Sequence, residues 1–202
     1  APDLLETPAE LRDLQSKTVG SVTVSVSILT DAQARQHFGV DFRRHELQAL
    51  WVSVRNGSTR RLWFIRNVLD PDFYSAEEAA LLAQRDVASN ARQALHQHFR
   101  DESIRARLEP RTVTEGFVYL PRVEGGRYVD IRLQHDAHDE AETSNVNESA
   151  TARTADGLPW ELRFEFALPL PDGDFDYERL DPTRTYAGRT LPNLSLEELR
   201  AT

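Results

Sequence analysis

The side chains best suited to chemistry are concentrated in one short acidic segment, His135 to Glu140 (HDAHDE). Its two imidazoles and three carboxylates could surround Zn²⁺ or another divalent ion, since nitrogen and oxygen donors of these types are ordinary metal ligands. The candidate ligands are His135, Asp136, His138 and Asp139. The alternative is a solvated loop, because the spacing is loose and the segment leaves a predicted strand for polar sequence. The loop is the favoured interpretation, and the sequence indicates no other cofactor.

A second candidate site combines arginine with aromatic side chains. Arg60, Arg61 and Arg66 flank Trp63 and Phe64, and together they could form a stacking platform for an aromatic or anionic ligand. In the alternative, which the sequence favours, the aromatic rings face the core and the arginines lie at its rim. We take Arg60, Arg61, Trp63 and Phe64 as a candidate interface.

The usual catalytic motifs are absent from the sequence. There is no cysteine, which removes thiol nucleophiles, disulfides and cysteine metal sites. No Gly-x-Ser-x-Gly segment anchors a hydrolase triad, and neither usual phosphate-binding glycine loop occurs. His96 and His98 lie two apart on a predicted helix, so they point to different faces and cannot chelate one ion together. We assign no catalytic residue, and the sequence favours a non-enzymatic function.

The overall composition narrows the class of partner. The chain has 24 basic and 33 acidic residues, a formal net charge of −9, which argues against nucleic acid because its binders usually carry a basic surplus. No apolar run approaches the roughly 20 residues of a membrane-spanning helix. With 202 residues and 40% hydrophobic content, the chain is expected to form one domain with insertions.

The elements that must position these side chains are mainly strands. Period-two alternation predicts strands near residues 22–28, 50–56, 62–65, 113–120, 128–133 and 160–168. Asn56-Gly57 predicts a tight hairpin between the second and third of these strands, because both residues tolerate a positive φ. A turn carrying Gly125-Gly126 predicts a second hairpin.

Helices are predicted from capping signals and from apolar periodicity. They are expected at residues 7–15, at 31–38 with Asp31 as cap and Gly39 as terminator, at 75–86, and from 89 to about 108. A further helix begins at Ser195, which suggests that the natural polypeptide continues.

These elements predict a mainly β fold with a helical insertion, an antiparallel immunoglobulin-like β-sandwich that is α+β overall. Residues 1–18 form an N-terminal helical segment in this prediction. The sandwich domain covers 19–170, with the helical insertion at about 75–108 and an acidic loop at about 134–158. A proline-rich tail and the start of a helix, 171–202, lead to a downstream region.

With the strands placed, the sequence resembles a group of uncharacterised bacterial exported proteins and lipoproteins. In that group an N-terminal β-rich domain is often followed by an LssY C-terminal-type domain. The matching segments are Phe38–Asp41, Leu50–Asn56, Trp63-Phe64, Leu69–Asp72, Gly116–Tyr119 and Pro192–Arg200. The resemblance covers most of the chain from about Val22 onward. The chain departs from it in the acidic insertion 134–158 and in lacking a lipid-accepting cysteine near its start.

The resemblance implies an exported, membrane-associated protein, periplasmic or attached to the envelope by an anchor outside this chain. It implies no reaction and no catalytic residue. We therefore predict a non-enzymatic extracytoplasmic interaction or scaffold domain of a bacterial envelope protein, whose partner is another envelope protein or its own downstream domain. The alternative is a metal- or small-molecule-binding module that uses the acidic histidine loop or a pocket under the helical insertion.

Overall fold

Antiparallel strands form most of the structure. The computed structural model describes residues 11, 13–65, 73–123, 126–136 and 160–169, together with the backbone of 185–186 and 189–190. The strands are β1 (Gln15–Val19), β2 (Val22–Ile28), β3 (Leu47–Asn56), β4 (Leu62–Phe64), β5 (Arg107–Leu108), β6 (Thr112–Pro121), β7 (Gly126–His135), β8 (Glu161–Pro169), β9 (Thr185–Tyr186) and β10 (Arg189–Thr190). The α-helices are α1 (Asp31–Phe38), α2 (Ala76–Ala83) and α3 (Arg92–Glu102). Short 3₁₀ turns lie at Arg43–His45, Gln84–Asp86 and Ser89–Ala91.

Two four-stranded antiparallel sheets pack face to face. The first sheet has the order β1-β2-β3-β6 and the second has the order β5-β4-β7-β8. Alternate side chains of each strand point into the shared core, as the period-two pattern requires. The first sheet contributes Val22, Val24, Val26, Ile28, Leu50, Val52, Val54, Val118 and Leu120, and the second contributes Leu62, Phe64, Leu108, Val129, Ile131, Leu133, Leu162, Phe164, Phe166 and Leu168. The predicted antiparallel β-sandwich is confirmed at this level.

The helices form a third layer on the opposite face of the first sheet. On β3, Leu50 and Val52 point toward the second sheet, whereas Ala49 and Trp51 point toward the helices, so the strand is buried on both faces. Helix α2 presents a row of small side chains to this layer, Ala76, Ala79, Ala80 and Ala83. Aromatic rings from the other elements fill the remaining space: Phe38, Phe42, Phe99, Phe117 and Tyr119.

The predicted hairpin at Asn56-Gly57 is wrong. Strand β3 pairs with β2 and β6, while β4 pairs with β5 and β7, so the two strands lie in different sheets. Neither Asn56 nor Gly57 has a positive φ, which a tight hairpin turn would need. Gly57 instead passes so close to β2 that an added Cβ would lie 2.5 Å from the carbonyl oxygen of Ser21. The glycine permits this close approach, and the chain then crosses to the second sheet.

The second predicted hairpin is also wrong, for the same topological reason. Strand β6 pairs with β3 in the first sheet, whereas β7 pairs with β4 and β8 in the second. The connection after Pro121 therefore crosses the sandwich. It is secured at its far side by Arg127, whose guanidinium donates to the carbonyl oxygen of Pro121 at 2.6 Å.

Helix α3 ends at Glu102, earlier than the predicted end near Leu108. The chain then runs beside β6, where the Ile104 N–H donates to the carbonyl oxygen of Phe117 at 3.0 Å. Gly116 makes room for it, because an added Cβ would lie 2.5 Å from the Ile104 nitrogen. Ile104 and Leu108 consequently belong to the sandwich core and not to a helical stripe.

The predicted N-terminal helical segment 1–18 does not extend to its expected end. Its first ten residues and residue 12 lie outside the described part of the chain, but Gln15–Val19 is strand β1. The Ser16 and Thr18 hydroxyls contact those of Ser25 and Thr23 on β2 at 2.8 and 3.0 Å. Pairing along β2 thus determines the conformation of this segment.

The caps of the two remaining helices show how local sequence determines helix limits. Helix α1 ends at Gly39 with φ 71°, as predicted, but its cap is Thr30, one residue before the predicted Asp31. Helix α2 begins with the predicted capping box, in which Ser75 and Glu78 bond reciprocally to backbone N–H groups. The rest of the acidic loop after Asp136, and the predicted helix at Ser195, lie outside the described residues.

Candidate functional site

Strand β4 divides the predicted aromatic platform between the two faces of the second sheet. Trp63 is 37% exposed on the outer face, while Phe64 is 2% exposed and lies in the sandwich core. This follows from the alternation of side chains along a strand. The platform prediction is therefore wrong for Phe64, and the favoured prediction that both rings face the core is wrong for Trp63. Of the two rings, Trp63 is the one that a ligand or partner can reach.

Arg61 lies at the end of the same sheet, held by carboxylates. Its Nε is 3.3 Å from Glu109 Oε2, and its Nη1 is 3.2 Å from Asp136 Oδ2. These hydrogen bonds, the one to Asp136 foremost, raise the pKa of the Arg61 guanidinium above its ordinary value. The backbone carbonyl of Arg60 accepts from the Asn56 side chain at 2.8 Å. Arg61 therefore fastens the segment before β4 to the residues after β5 and β7.

Two of the four candidate metal ligands lie in the described part of the chain. His135 is the last residue of β7, 2% exposed and paired in register with Leu62. Asp136 follows it and binds Arg61. His138 and Asp139 lie outside the described residues. Within the described residues, no group of three or more histidine, aspartate or glutamate side chains is placed to hold a metal ion. The metal site stays a prediction.

The outer face of β7 and β8 carries an ordered array of polar side chains. On β7 its residues are Tyr128, Asp130, Arg132 and Gln134, and on β8 they are Glu161, Arg163, Glu165 and Ala167. All of them except Ala167 have polar side chains. The register places Arg132 beside Arg163 in one row and Asp130 beside Glu165 in the next. We call this array, together with Trp63 beside Gln134, the charged face.

Each arginine of the charged face bridges two carboxylates. Arg132 Nη2 lies 3.1 Å from Asp130 and its Nη1 lies 3.4 Å from Glu161. Arg163 Nη2 lies 3.0 Å from Asp130 and 2.7 Å from Glu165. The hydrogen bond to Asp130 raises the pKa of Arg163 above its ordinary value. Exposed ion pairs of this kind contribute little to stability, but several in a network hold the long side chains in place.

Two large aromatic side chains lie at opposite ends of the charged face. Tyr128 is 51% exposed, and a hydrogen bond to Glu165 raises the pKa of its hydroxyl. Trp63 adjoins Gln134, which is six residues along β7 from Tyr128, or about 20 Å at the usual rise of a strand. The charged face therefore combines exposed aromatic area with an ordered pattern of charge.

The helical layer contains a partly buried polar cluster that the sequence did not indicate. His37 on α1 has a side chain only 3% exposed, and its Nε2 donates to Glu102 Oε2 on α3 at 2.8 Å. His98 Nε2 donates to the His37 carbonyl oxygen at 3.0 Å. His96 instead contacts Gln84 at 3.1 Å, which confirms that His96 and His98 point to different elements. The cluster joins α1 to α3.

Aromatic rings occupy the space in which the alternative prediction puts a small-molecule pocket. Phe38 and Phe99 have ring centroids 5.0 Å apart, and Phe42 stacks on Phe99 at 5.8 Å. The Tyr119 hydroxyl donates to the Phe99 carbonyl oxygen at 2.8 Å. A ligand beneath the helices would have to displace these side chains.

Comparisons of the chain with models of protein families, with curated proteins and with solved structures found no match. Among the described residues, no helix is both long and apolar enough to cross a membrane.

Proposed function

We propose that this protein is a non-enzymatic binding module and that the charged face is its contact surface. The observation that carries the proposal is the exposure of Trp63 and Tyr128, 37% and 51%, on one face of the same sheet. Tryptophan, tyrosine and arginine are the residues most enriched at the energetic centres of protein interfaces. The charged face has all three types, on regular strands.

The ion pairs of the charged face support the same proposal. Binding costs side-chain entropy when long polar residues must be ordered at an interface. Ion pairs with neighbouring carboxylates already hold the side chains of Arg132 and Arg163 in place. Binding a partner therefore costs less side-chain entropy. Charged groups arranged in a fixed pattern also favour the right partner over wrong ones.

The proposal places this module outside the cytoplasm, in an exported bacterial envelope protein of the group that pairs a β-rich domain with an LssY C-terminal-type domain. The support for this part is the sequence resemblance described above. An immunoglobulin-like relationship of the sandwich belongs to the same proposal, since both architectures pack two antiparallel sheets around one core. The partner is then a protein of the envelope or a further part of the same polypeptide.

Site-specific photocrosslinking tests the proposed surface. A photoreactive amino acid replaces Trp63 or Tyr128 in the full-length protein in its own bacterium, and Leu81 or Val113 in the controls. The control residues are also exposed apolar side chains, 56% and 48%, but they lie on α2 and β6. We expect protein adducts from positions 63 and 128 and none from 81 and 113. Equal adducts at all four positions, or none at 63 and 128, would contradict the proposal.

A further inference from the structure

We infer that the charged face binds a second copy of this chain, face to face, about a two-fold axis that runs across the strands. The inference rests on the proposed function, because it names the partner of the same surface. It is carried by the order of charges along β7 and β8 and by the exposed rings at either end.

The charges of the face are arranged in rows of opposite sign. Arg132 and Arg163 are register partners, and so are Asp130 and Glu165. Successive rows on one face of a strand pair are about 7 Å apart, which is two residues of strand rise. A basic row thus lies directly beside an acidic row.

A two-fold axis between these rows makes the face complementary to itself. Turning a second copy about that axis places its acidic row over the basic row of the first copy, and its basic row over the acidic row. Two-fold interfaces are isologous, so both copies gain the same contacts at once. The strands of the two copies then run antiparallel, and Arg132 faces the Asp130 position of the second copy.

The same operation brings the exposed aromatic side chains together. It places Tyr128 over the Gln134 position of the second copy, and Trp63 adjoins Gln134 in the register of β4 and β7. Tyr128 of each copy therefore lies beside Trp63 of the other. The two large rings left exposed on this face would be covered in one step, in keeping with the role of aromatic residues in interfaces.

The alternating charge selects against other kinds of partner. A uniformly acidic surface would be repelled by the row of Asp130 and Glu165, and a uniformly basic one by the row of Arg132 and Arg163. A matching partner must also alternate basic and acidic rows, and the charged face of a second copy does so. Its small size and the net charge of −9 predict a weak dimer, near or below the roughly 1,200 Å² lower limit of stable interfaces, that weakens further with salt.

Charge reversal with the full chain tests this inference. One variant carries Arg132→Glu and Arg163→Glu, so both rows are acidic, and the other carries Asp130→Arg and Glu165→Arg, so both rows are basic. By sedimentation velocity, we expect each variant alone to self-associate about tenfold or more weakly than the wild type, because like charges then face each other. Mixing the two variants is expected to restore dimers that contain one chain of each.

A matched control reverses charges on the first sheet. Arg55→Glu with Glu115→Arg changes two residues on its outer face, and we expect the wild-type dimer to persist. Asp130 has a side chain only 12% exposed, so thermal melts verify that its variant folds. If it does not fold, Arg163→Glu alone and Glu165→Arg alone replace the double variants, since these positions also face each other across the axis.

The outcomes separate this inference from the proposed function. A wild-type chain that stays monomeric at submillimolar concentration, or variants that fail to associate when mixed, would overturn the second-copy interface. If positions 63 and 128 then still crosslink to a different envelope protein, the binding-module proposal stands without it. If neither association nor crosslinking occurs, both proposals fail.

Discussion

At the scale of single residues, Asn56 shows how a side chain that suggests a turn can serve a buried network. It is 1% exposed at the end of β3. Its Nδ2 donates to the carbonyl oxygens of Arg60 and Glu109 at 2.8 and 3.1 Å, and its Oδ1 accepts from the backbone and hydroxyl of Ser58 at 3.1 and 2.6 Å. These bonds fasten the crossing between the two sheets, and buried polar groups of this kind are costly to leave unpaired.

We expect Asn56→Ala to lower the free energy of unfolding by about 2–3 kcal/mol, because it leaves several buried partners unsatisfied. Urea denaturation measures the change. Asn90→Ala is the control, since Asn90 is exposed in a 3₁₀ turn, and its effect should stay within about 0.5 kcal/mol. Asn56→Asp should also destabilise, because a carboxylate cannot donate to the Arg60 and Glu109 carbonyls. An unchanged Asn56→Ala midpoint would refute this account.

At the scale of elements, the sequence located most strands well but misplaced their partners. The strands near 22–28, 50–56, 113–120 and 160–168 are present as β2, β3, β6 and β8. Both hairpin predictions were wrong. The alternation of apolar and polar residues indicates which side chains face a core, but it does not indicate which strands pair. Gly57, which predicted the first turn, instead allows a close approach to β2, and Gly116 within β6 allows a close approach to the segment after α3.

Gly116→Ala is therefore expected to destabilise the protein by at least about 2 kcal/mol, because its Cβ would meet the Ile104 backbone at 2.5 Å. Gly126→Ala is a matched control on β7, where the nearest atom would be 3.4 Å from the new Cβ. Neither glycine has a positive φ, so backbone strain does not contribute to the difference in stability between the two variants. Thermal or urea unfolding that gave equal losses for both variants would contradict the crossing of Ile104 over Gly116.

At the scale of the whole molecule, the first sheet is shared between two apolar clusters. Its inner face packs on the second sheet, and its outer face packs on the helices. The helical insertion is therefore not an appendage, since removing it would expose Trp51, Phe117 and Tyr119. Two clusters that share one sheet should lose their structure together.

We expect Phe99→Ala in the helical layer and Phe164→Ala in the sandwich core each to cost about 3–5 kcal/mol. Both should shift one common transition, with far-UV circular dichroism and tryptophan fluorescence coincident in urea. Leu81→Ala on α2, where the side chain is 56% exposed, should have little effect. A helical signal lost before the sheet signal would show that the layers unfold separately.

Features that depend on residues close together in the chain could be predicted from the sequence. These are the period-two pattern of strands β2, β3, β6 and β8, the capping box at Ser75 and the left-handed Gly39. Which strands share a sheet and which charges share a face depend instead on contacts between distant parts of the chain. His37 and Glu102 meet across 65 residues, and Arg163 meets Asp130 across 33. Local periodicity does not indicate such pairs, because these residues come close together only when the sheets and the helical layer pack.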